Sequence, residues 1–296
     1  MKRAIDLQGH RGARGLFPEN TIAGFAGTLA IGVDTLELDV TMTKDDVVAV
    51  THDARLNPDV TRSADGTWLA QPGPPIRALR WAELAAYDVG RMRPGSRYAA
   101  QFPDQVPRDG SSIPRLADVL RLDETITFNI ELKSSPESAD GVRLADAVVA
   151  VADAVGATSR IIVQSFDWRG PRRLRQTRAD IRLGWLTRSE IIPDAKAWWD
   201  GPHPSDFGGS VPRTVAAEGG PIWTPFYRDV TRESLAEAHT LSLRVVPWTV
   251  NHPDDMRRLL QWGVDGLITD RPDLARVVLA EEGFPLPPQR PSIMAD

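Results

Sequence analysis

The chain of 296 residues contains no cysteine, so disulfide bonds and zinc sites built from thiolates are excluded. It also lacks an apolar run of about 18 residues, which a membrane-spanning helix needs. The basic start Met1-Lys2-Arg3 is followed by Asp6 and Gln8, which interrupt the apolar stretch that a signal peptide requires. We therefore expect a cytoplasmic protein without an integral membrane segment, or a periplasmic or secreted one if a leader has been removed.

An excess of basic residues is absent as well, since the formal net charge is −5. Nucleic-acid-binding domains usually carry a clustered positive charge, so we expect no nucleic-acid partner. Local arginines still permit an anionic small molecule as substrate. A hydrophobic content of 42% with 25% charged residues predicts a globular chain with a sizeable core. These numbers leave the oligomeric state unknown.

Short apolar runs alternate with amphipathic stretches along the chain. We predict strands that start near residues 4, 33, 125, 161, 181, 221, 243 and 266, with helices between them. Eight such units favour an α/β fold of the TIM (β/α)8 barrel type, in which a closed parallel sheet is covered by helices. A Gly-x-Gly-x-x-Gly motif or P-loop is missing from the sequence, which disfavours a dinucleotide-binding fold.

The second strand and the segment after it predict a hairpin. Alternation over residues 33–42 places Glu37 and Asp39 on the face opposite the apolar residues. The next apolar run follows after only four polar residues, too few for a parallel crossover, so it returns antiparallel. A turn centred on Lys44-Asp45 pairs His52 with Glu37. A slip of a residue or two still brings His52 level with both carboxylates.

Residues 54–112 differ from the rest in their content of proline, glycine and arginine. A structureless loop of this length is rare, so we predict an inserted cap subdomain after the strand 2 hairpin. Its expected apolar cluster consists of Trp68, Leu69, Leu79, Trp81, Leu84 and Tyr87. The predicted organisation is a single barrel domain over 1–284 that contains this cap, followed by a C-terminal tail over 285–296.

Three carboxylates are predicted to meet at the carboxyl end of the barrel strands, where chemistry sits in this fold. Glu37 and Asp39 face the interior of a closed barrel, and Glu131 alternates with Ile130 and Leu132 on a later strand. Unpaired carboxylates inside a barrel are costly. Carboxylate oxygens are, however, the ligands that Mg²⁺ and Ca²⁺ prefer. We therefore predict a divalent-metal site at Glu37, Asp39 and Glu131.

Two cationic side chains and two imidazoles belong to the same predicted site. Arg11 follows the first strand and offers a bidentate fork for phosphate, and Lys133 adds a second positive charge. His10 and His52 titrate near neutral pH and suit the acid and base steps of phosphodiester cleavage. The stretch from His10 to Thr21 is then a tight loop at the end of the first strand.

Six motifs in order resemble those of the glycerophosphodiester phosphodiesterase family. They are His10-Arg11-Gly12 with Pro18-Glu19-Asn20-Thr21, Glu37-Leu38-Asp39-Val40, His52-Asp53, Glu131-Leu132-Lys133, Trp248-Thr249-Val250-Asn251, and Gly263-Val264-Asp265-Gly266 with Thr269-Asp270-Arg271-Pro272. The match spans about Gly9 to Pro272, nearly the whole chain. The resemblance implies a TIM barrel with a small insertion and metal-dependent cleavage of glycerophosphodiesters to sn-glycerol 3-phosphate and an alcohol.

The resemblance also implies a role for each matched residue. His10 and His52 correspond to the acid/base pair, Glu37, Asp39 and Glu131 to the metal ligands, and Arg11 and Lys133 to the phosphate-contacting positions. Trp248 corresponds to the apolar wall of the glycerol pocket, and Asn20 is either a substrate-binding residue or only a helix cap. The expected metal is Mg²⁺ or Ca²⁺, with Mn²⁺ as a third option, and the expected partner is a small-molecule glycerophosphodiester.

Two alternatives stay open at the level of the sequence. One is a phosphodiesterase of the lysophospholipase D or sphingomyelinase D type, and the other is a non-catalytic barrel that binds phosphodiesters. The sequence also departs from many family members directly after His52-Asp53, where Arg55-Leu56-Asn57-Pro58-Asp59 intervenes. This departure concerns the contacts of the cap and the choice of substrate.

Overall fold

Parallel strands form a ring around a side-chain-filled interior in the computed structural model, which describes residues 2–138 and 140–290, apart from the side chain of Ala195. The strands are β1 (Asp6–Gly9), β2 (Thr35–Met42), β3 (Val48–Val50), β4 (Thr127–Leu132), β5 (Ile161–Ser165), β6 (Arg182–Thr187), β7 (Ile222–Pro225), β8 (Arg244–Val245) and β9 (Gly266–Thr269). They are ordered β8-β7-β6-β5-β4-β2-β1-β9, and β3 lies outside this order and pairs with β2.

The two ends of this sheet meet, so the ring is nearly closed. The backbone N–H groups of Asp265 and Ile268 donate to the carbonyl oxygens of Val245 and Pro247, at 2.8 and 3.0 Å, and thereby join β9 to the β8 segment. With every ring neighbour parallel, this architecture is consistent with the predicted TIM barrel. The predicted fold class is confirmed.

Helices cover the outside of the ring. The helices are α1 (Ile22–Ile31), α2 (Trp81–Leu84), α3 (Leu116–Leu120), α4 (Gly141–Ala154), α5 (Arg169–Thr177), α6 (Ala195–Trp199), α7 (Val211–Ala217), α8 (Arg232–Thr240), α9 (Pro253–Trp262) and α10 (Pro272–Glu281). Of these, α2 belongs to the segment inserted between β3 and α3 rather than to the outer layer. The apolar residues of β2 pack against this layer, because alternation turns Leu36, Leu38 and Val40 outward. Glu37 and Asp39 therefore face the interior. No helix within the described residues is long and apolar enough to cross a membrane.

The hairpin forms as predicted, but its register differs by one residue. Val40 pairs with Val50, and the Thr51 N–H donates to the Asp39 carbonyl at 2.9 Å. His52 is thus opposite Leu38 rather than Glu37. The reason is that the turn is centred on Asp45 and holds one residue more than predicted. His52 still returns to the level between the two carboxylates.

The cap, defined as residues 54–112, contains α2 and short 3₁₀ turns at Ile76–Ala78 and Ala99–Gln101. Its buried Leu56, Ile76 and Leu84 pack with Ala49 of β3 and with Ile113. The cap therefore shares its apolar cluster with the hairpin. Trp68 and Trp81 were expected in this cluster, but arginine guanidinium groups lie over their rings instead.

The chain after α10 runs back along the barrel. The Arg276 side chain donates to the Pro287 carbonyl at 2.6 Å, and the Arg290 N–H donates to the Leu29 carbonyl at 3.0 Å. The first part of the predicted tail is therefore held against α1. Residues 291–296 of that tail lie outside the described residues.

Candidate active site

The loop from His10 to Asn20, here named the catalytic loop, begins where β1 ends. The His10 N–H donates to the Thr269 carbonyl at 2.8 Å, which continues the β1–β9 pairing into the loop. Gly12 has a φ of 72°, and a Cβ on it would lie within 3.0 Å of the Phe25 ring and backbone nitrogen. A glycine is therefore required at this bend. The result is a short loop that presents His10 and Arg11 at the carboxyl end of the barrel.

His10 is buried and held by Asp270, the residue directly after β9. Its Nδ1 lies 2.6 Å from Asp270 Oδ1, and its Nε2 lies 3.9 Å from Glu37 Oε2. Asp270 also accepts from both Nε and Nη2 of Arg14, at 3.1 and 3.2 Å, and from Asn251 Nδ2 at 2.7 Å. Burial raises the pKa of Asp270, but Arg14 and His10 outweigh it and hold that pKa below its usual range. The carboxylate is therefore charged and accepts a hydrogen bond from Nδ1–H.

Burial lowers the pKa of His10 from 6.5 to about 4, and the nearby Arg14 and Arg11 add to this shift while Asp270 opposes it. His10 is therefore neutral near pH 7, and its Nε2 is a free base on the side of Glu37. This protonation state suits a group that removes a proton from a substrate.

The predicted metal ligands come together as a buried cluster. Asp39 pairs with Glu131 across β2 and β4, and Glu37 is two residues before Asp39 on the same face. One carboxylate oxygen of each residue lies within 4.8 Å of the others. The structure thus brings all three residues to one point inside the barrel rim.

The electrostatics of this cluster favour a cation. Burial, followed by the charges of Asp39 and Glu131, raises the pKa of Glu37 well above its usual range. Burial also raises the pKa of Asp39, but Lys133, Arg11 and the two histidines outweigh it and bring that pKa well below its usual value. Among the described residues, Asp39 Oδ1 is buried without a hydrogen-bond donor. A buried carboxylate oxygen that makes no hydrogen bond, although Lys133 Nζ lies 3.1 Å away, fits a divalent metal among three crowded carboxylates.

Arg11 and Lys133 flank the carboxylates as predicted. Arg11 Nε lies 3.1 Å from Asp39 Oδ2 without hydrogen-bond geometry, and its Nη1 donates to Glu19 Oε1 at 3.0 Å. Lys133 Nζ donates to Glu131 Oε1 at 2.6 Å and lies 3.1 Å from Asp39 Oδ1. Burial lowers the pKa of Lys133, but Asp39 and Glu131 outweigh it and raise that pKa. Both cations stay charged beside the predicted metal site.

His52 lies nearer the solvent than His10. Its Nδ1 lies 2.7 Å from Asp53 Oδ1, and Asp53 in turn accepts from Asn57 Nδ2 at 2.8 Å. The residues that follow His52-Asp53 in this sequence thus help to hold the imidazole. His52 and Lys133 line the same cavity of about 480 Å³, so the structure brings them together.

Trp248 follows β8 and stands in an aromatic cluster. Its ring meets Phe166 at 5.4 Å and Phe226 at 5.5 Å between centroids, and its indole N–H donates to the Thr224 carbonyl at 3.0 Å. These half-buried rings form an apolar wall at the carboxyl end of the strands. Phe166 and Phe226 were not among the predicted site residues, although they directly follow β5 and β7 in the structure.

Asn20 is not the helix cap, because Thr21 Oγ1 accepts from the Gly24 N–H at 3.0 Å and caps α1. The Asn20 side chain is buried against Asp39 instead. Its Nδ2 donates to Asp39 Oδ2 at 2.9 Å, and its Oδ1 accepts from the Asp39 N–H at 3.3 Å. A contact between Asn20 and substrate stays a prediction. The structure places its amide on a predicted metal ligand.

The side chains that support His10 were not predicted from the sequence as part of the site. Asp270, Asn251 and Arg14 hold His10, yet they were not among the predicted site residues. Asp270 and Asn251 carry a signal, because polar residues directly after barrel strands are typical of active sites. Arg14 carries none beyond its place in the catalytic loop. Two imidazoles, three carboxylates and two cations at this end of a parallel barrel define a TIM-barrel enzyme site suited to phosphate esters.

Comparison with known proteins shows to which family this chain belongs. The sequence matches the Glycerophosphoryl diester phosphodiesterase family over residues 10–274. The chain belongs to this family, and the predicted family and enzyme class are confirmed.

Three similar proteins illustrate the match. A crystal structure from Silicibacter pomeroyi, described as a glycerophosphoryl diester phosphodiesterase, superposes with a TM-score of 0.89 and 37% identity, covering 97% of this chain and 96% of its own. A glycerophosphodiester phosphodiesterase from Caldanaerobacter subterraneus is 27% identical, over 89% of this chain and 93% of its own length. A phosphodiesterase from Oleispira antarctica, solved with the product sn-glycerol-3-phosphate, shares the fold at a TM-score of 0.69 and 19% identity, with 93% and 96% coverage.

Proposed function

We propose that this protein hydrolyses glycerophosphodiesters to sn-glycerol 3-phosphate and an alcohol, using a divalent metal and the two histidines as an acid/base pair. The observation that carries the proposal is the neutral Nε2 of His10 beside Glu37 of the buried carboxylate cluster. Membership of the family supports it. So does the product bound to the Oleispira relative, which has the same fold.

In this proposal the phosphate group is bound by the cations of the site. Arg11 and Lys133 stand on either side of Asp39, so their charged ends face a phosphate that approaches the carboxylate cluster. Trp248 and the neighbouring rings offer an apolar surface to the carbon atoms of glycerol. The substrate is thereby oriented with its scissile bond near both imidazoles.

Glu37, Asp39 and Glu131 would hold the metal, for which Mg²⁺ or Ca²⁺ is expected and Mn²⁺ is a third option. When bound, the metal offsets the negative charge of the phosphate and of the carboxylates. Asn20 holds the Asp39 carboxylate in place through its side-chain amide.

His10 accepts a proton at Nε2, either from the hydroxyl of glycerol next to the phosphate or from a water molecule. His52 donates a proton from Nε2 to the oxygen of the leaving alcohol. Attack by the neighbouring hydroxyl has the advantage of proximity. A substrate with a chiral phosphate distinguishes the routes, since retention indicates a cyclic intermediate and inversion indicates direct attack by water.

The test is the release of sn-glycerol 3-phosphate from glycerophosphocholine by the purified protein. We expect turnover that EDTA abolishes and that Mg²⁺, Ca²⁺ or Mn²⁺ restores, and we expect loss of turnover in His10→Ala and His52→Ala. His239→Ala is the matched control, because His239 contacts Asp265, which precedes β9 and so lies at the other end of that strand from Asp270. Full activity in EDTA would contradict the metal role, and full activity in His10→Ala would contradict the catalytic role.

The same assay separates the alternatives. The cavity beside His52 and Lys133 is lined by Arg77, Glu137 and several serines, which suits a small polar head group better than an acyl chain. We therefore expect glycerophosphocholine to be cleaved faster than lysophosphatidylcholine. The reverse preference would favour a lysophospholipase D type of activity. Binding of both compounds without turnover would favour a non-catalytic barrel.

A further inference from the structure

A short segment of the cap, Tyr98 to Val106, contacts the catalytic loop. Gln105 Nε2 donates to the Arg14 carbonyl at 2.8 Å, and the Val106 N–H donates to the Leu16 carbonyl at 2.8 Å. Asp104 accepts from Arg271 Nη1 at 2.8 Å. The segment therefore contacts both the catalytic loop and the residue that follows Asp270.

Tyr98 is linked through Glu19 to Arg11. The Tyr98 hydroxyl donates to one oxygen of the Glu19 carboxylate. The other oxygen accepts from Arg11 Nη1 at 3.0 Å. Only 10% of the Arg11 side chain is exposed, so contacts with neighbouring side chains such as Glu19 determine its position.

Phe102 is linked through Arg14 to His10. The Arg14 guanidinium lies over the Phe102 ring at 4.6 Å, and the edge of the Tyr98 ring packs on Phe102 at 5.3 Å. The same guanidinium donates twice to Asp270, and Asp270 binds His10 Nδ1. A face-on cation–aromatic contact favours one orientation of the guanidinium plane. The cap thus fixes Arg14, and Arg14 in turn holds Asp270, the partner of the His10 imidazole.

The backbone of the catalytic loop contains several unfavourable conformations that contacts with the cap help to hold. Arg11, Ala13 and Asn20 all have left-handed backbone conformations, with φ values of 52°, 56° and 54°. Residues with a Cβ rarely adopt this backbone conformation, and they keep it only where the surrounding structure holds them. The Tyr98 to Val106 segment supplies hydrogen bonds and packing to this loop from outside the barrel.

We propose that Tyr98 and Phe102 are positioning residues, which orient Arg11 and His10 from the cap without contacting the substrate. The functional part of this proposal rests on the proposed function, because it assigns phosphate binding to Arg11 and proton transfer to His10. The structural part does not, because it concerns the order of the catalytic loop itself.

The structural part is tested by amide hydrogen exchange in Tyr98→Phe and Phe102→Leu, without substrate. We expect faster exchange across residues 10–20 in both variants and unchanged exchange in strands β4 to β7. Asp109→Asn is the matched control within the cap, because Asp109 pairs with Arg91 and Arg62 rather than with the catalytic loop. Exchange in residues 10–20 that equals the wild type in both variants would overturn the proposal.

The functional part is tested by steady-state kinetics with glycerophosphocholine. Loss of the Tyr98 hydroxyl is expected to raise KM roughly two- to tenfold because it loosens Arg11, and to lower kcat by a smaller factor because the hydroxyl also accepts from Arg14 Nη1 at 3.3 Å. Phe102→Leu is expected to lower kcat by a similar factor with little change in KM, and Phe102→Trp is expected to restore most of it. A change of equal size in kcat and KM in both variants, or no change in either variant, would contradict positioning. If the wild type shows no turnover, the proposed function fails, while the exchange experiment still decides the structural part.

Discussion

The Asp270 carboxylate determines which nitrogen of His10 faces the carboxylate cluster. It accepts a hydrogen bond from Nδ1–H, so the neutral imidazole keeps its proton on Nδ1 and presents an unprotonated Nε2 towards Glu37. The same carboxylate neutralises Arg14, which is buried beside it. One side chain therefore sets both the tautomer of the proposed base and the charge balance of the catalytic loop.

Asp270→Asn is expected to lower kcat by about 10- to 100-fold, because a neutral amide no longer enforces the Nδ1–H tautomer of His10 and leaves Arg14 without its carboxylate. The measurement is kcat for glycerophosphocholine at saturating metal. Asp255→Asn is the control, since Asp255 pairs with Arg258 on helix α9. A kcat that is equal in Asp270→Asn and the wild type would refute the role of the carboxylate.

The lowered pKa of His10 has a consequence for stability. The unfolded chain binds a proton at this residue below its ordinary pKa of 6.5, whereas the folded chain binds it only near pH 4. The folded state therefore loses stability as the pH falls between these values. In urea unfolding, His10→Gln should lose about 2 kcal/mol less than the wild type between about pH 7 and about pH 4.5. An equal loss in both proteins would mean that His10 does not titrate in this way.

At the scale of elements, the bend at Gly12 is the position that most strictly requires a glycine. Gly12→Ala is expected to reduce the free energy of unfolding by about 2–3 kcal/mol, from the left-handed φ together with contact with Phe25. Gly110→Ala is a matched control, because Gly110 has a φ of 83° but open space around its Cβ position. The control should cost only about 1 kcal/mol. Equal costs at both positions would show that the contact with Phe25 is unimportant.

The sequence predicts elements whose cause is local. Alternation along β2 sends Glu37 and Asp39 inward, and the short turn after it returns His52 to their level. The register was wrong by one residue because turn length depends on the backbone at Asp45 and Asp46, and Asp46 adopts a left-handed φ of 63°. The partners of His10 were missed for a different reason. Asp270 becomes its neighbour only when the last barrel strand docks beside the first, and Arg14 supports His10 through its hydrogen bonds to Asp270.

At the scale of the whole molecule, the carboxylate cluster links stability to metal. Burying three carboxylates together is unfavourable, and a cation that binds only the folded protein relieves that cost. We expect Mg²⁺ or Ca²⁺ at a hundredfold excess over its Kd to add about 2.7 kcal/mol to the free energy of unfolding. Calorimetry with and without EDTA measures the shift, and Asp39→Asn should reduce it. A melting temperature that does not respond to either metal would contradict the site.

The pairing of β1 with β9 also has a consequence for synthesis of the chain. His10 and Asp270 are 260 positions apart, yet they share one short contact. A ribosome makes the amino-terminal strand first, and domains begin to fold during synthesis. The edge of β1 that later receives β9 must therefore wait, unpaired, until almost the entire barrel has emerged. The proposed base acquires its orienting carboxylate only at that last step, so a nascent barrel has no organised active site before its ring is closed.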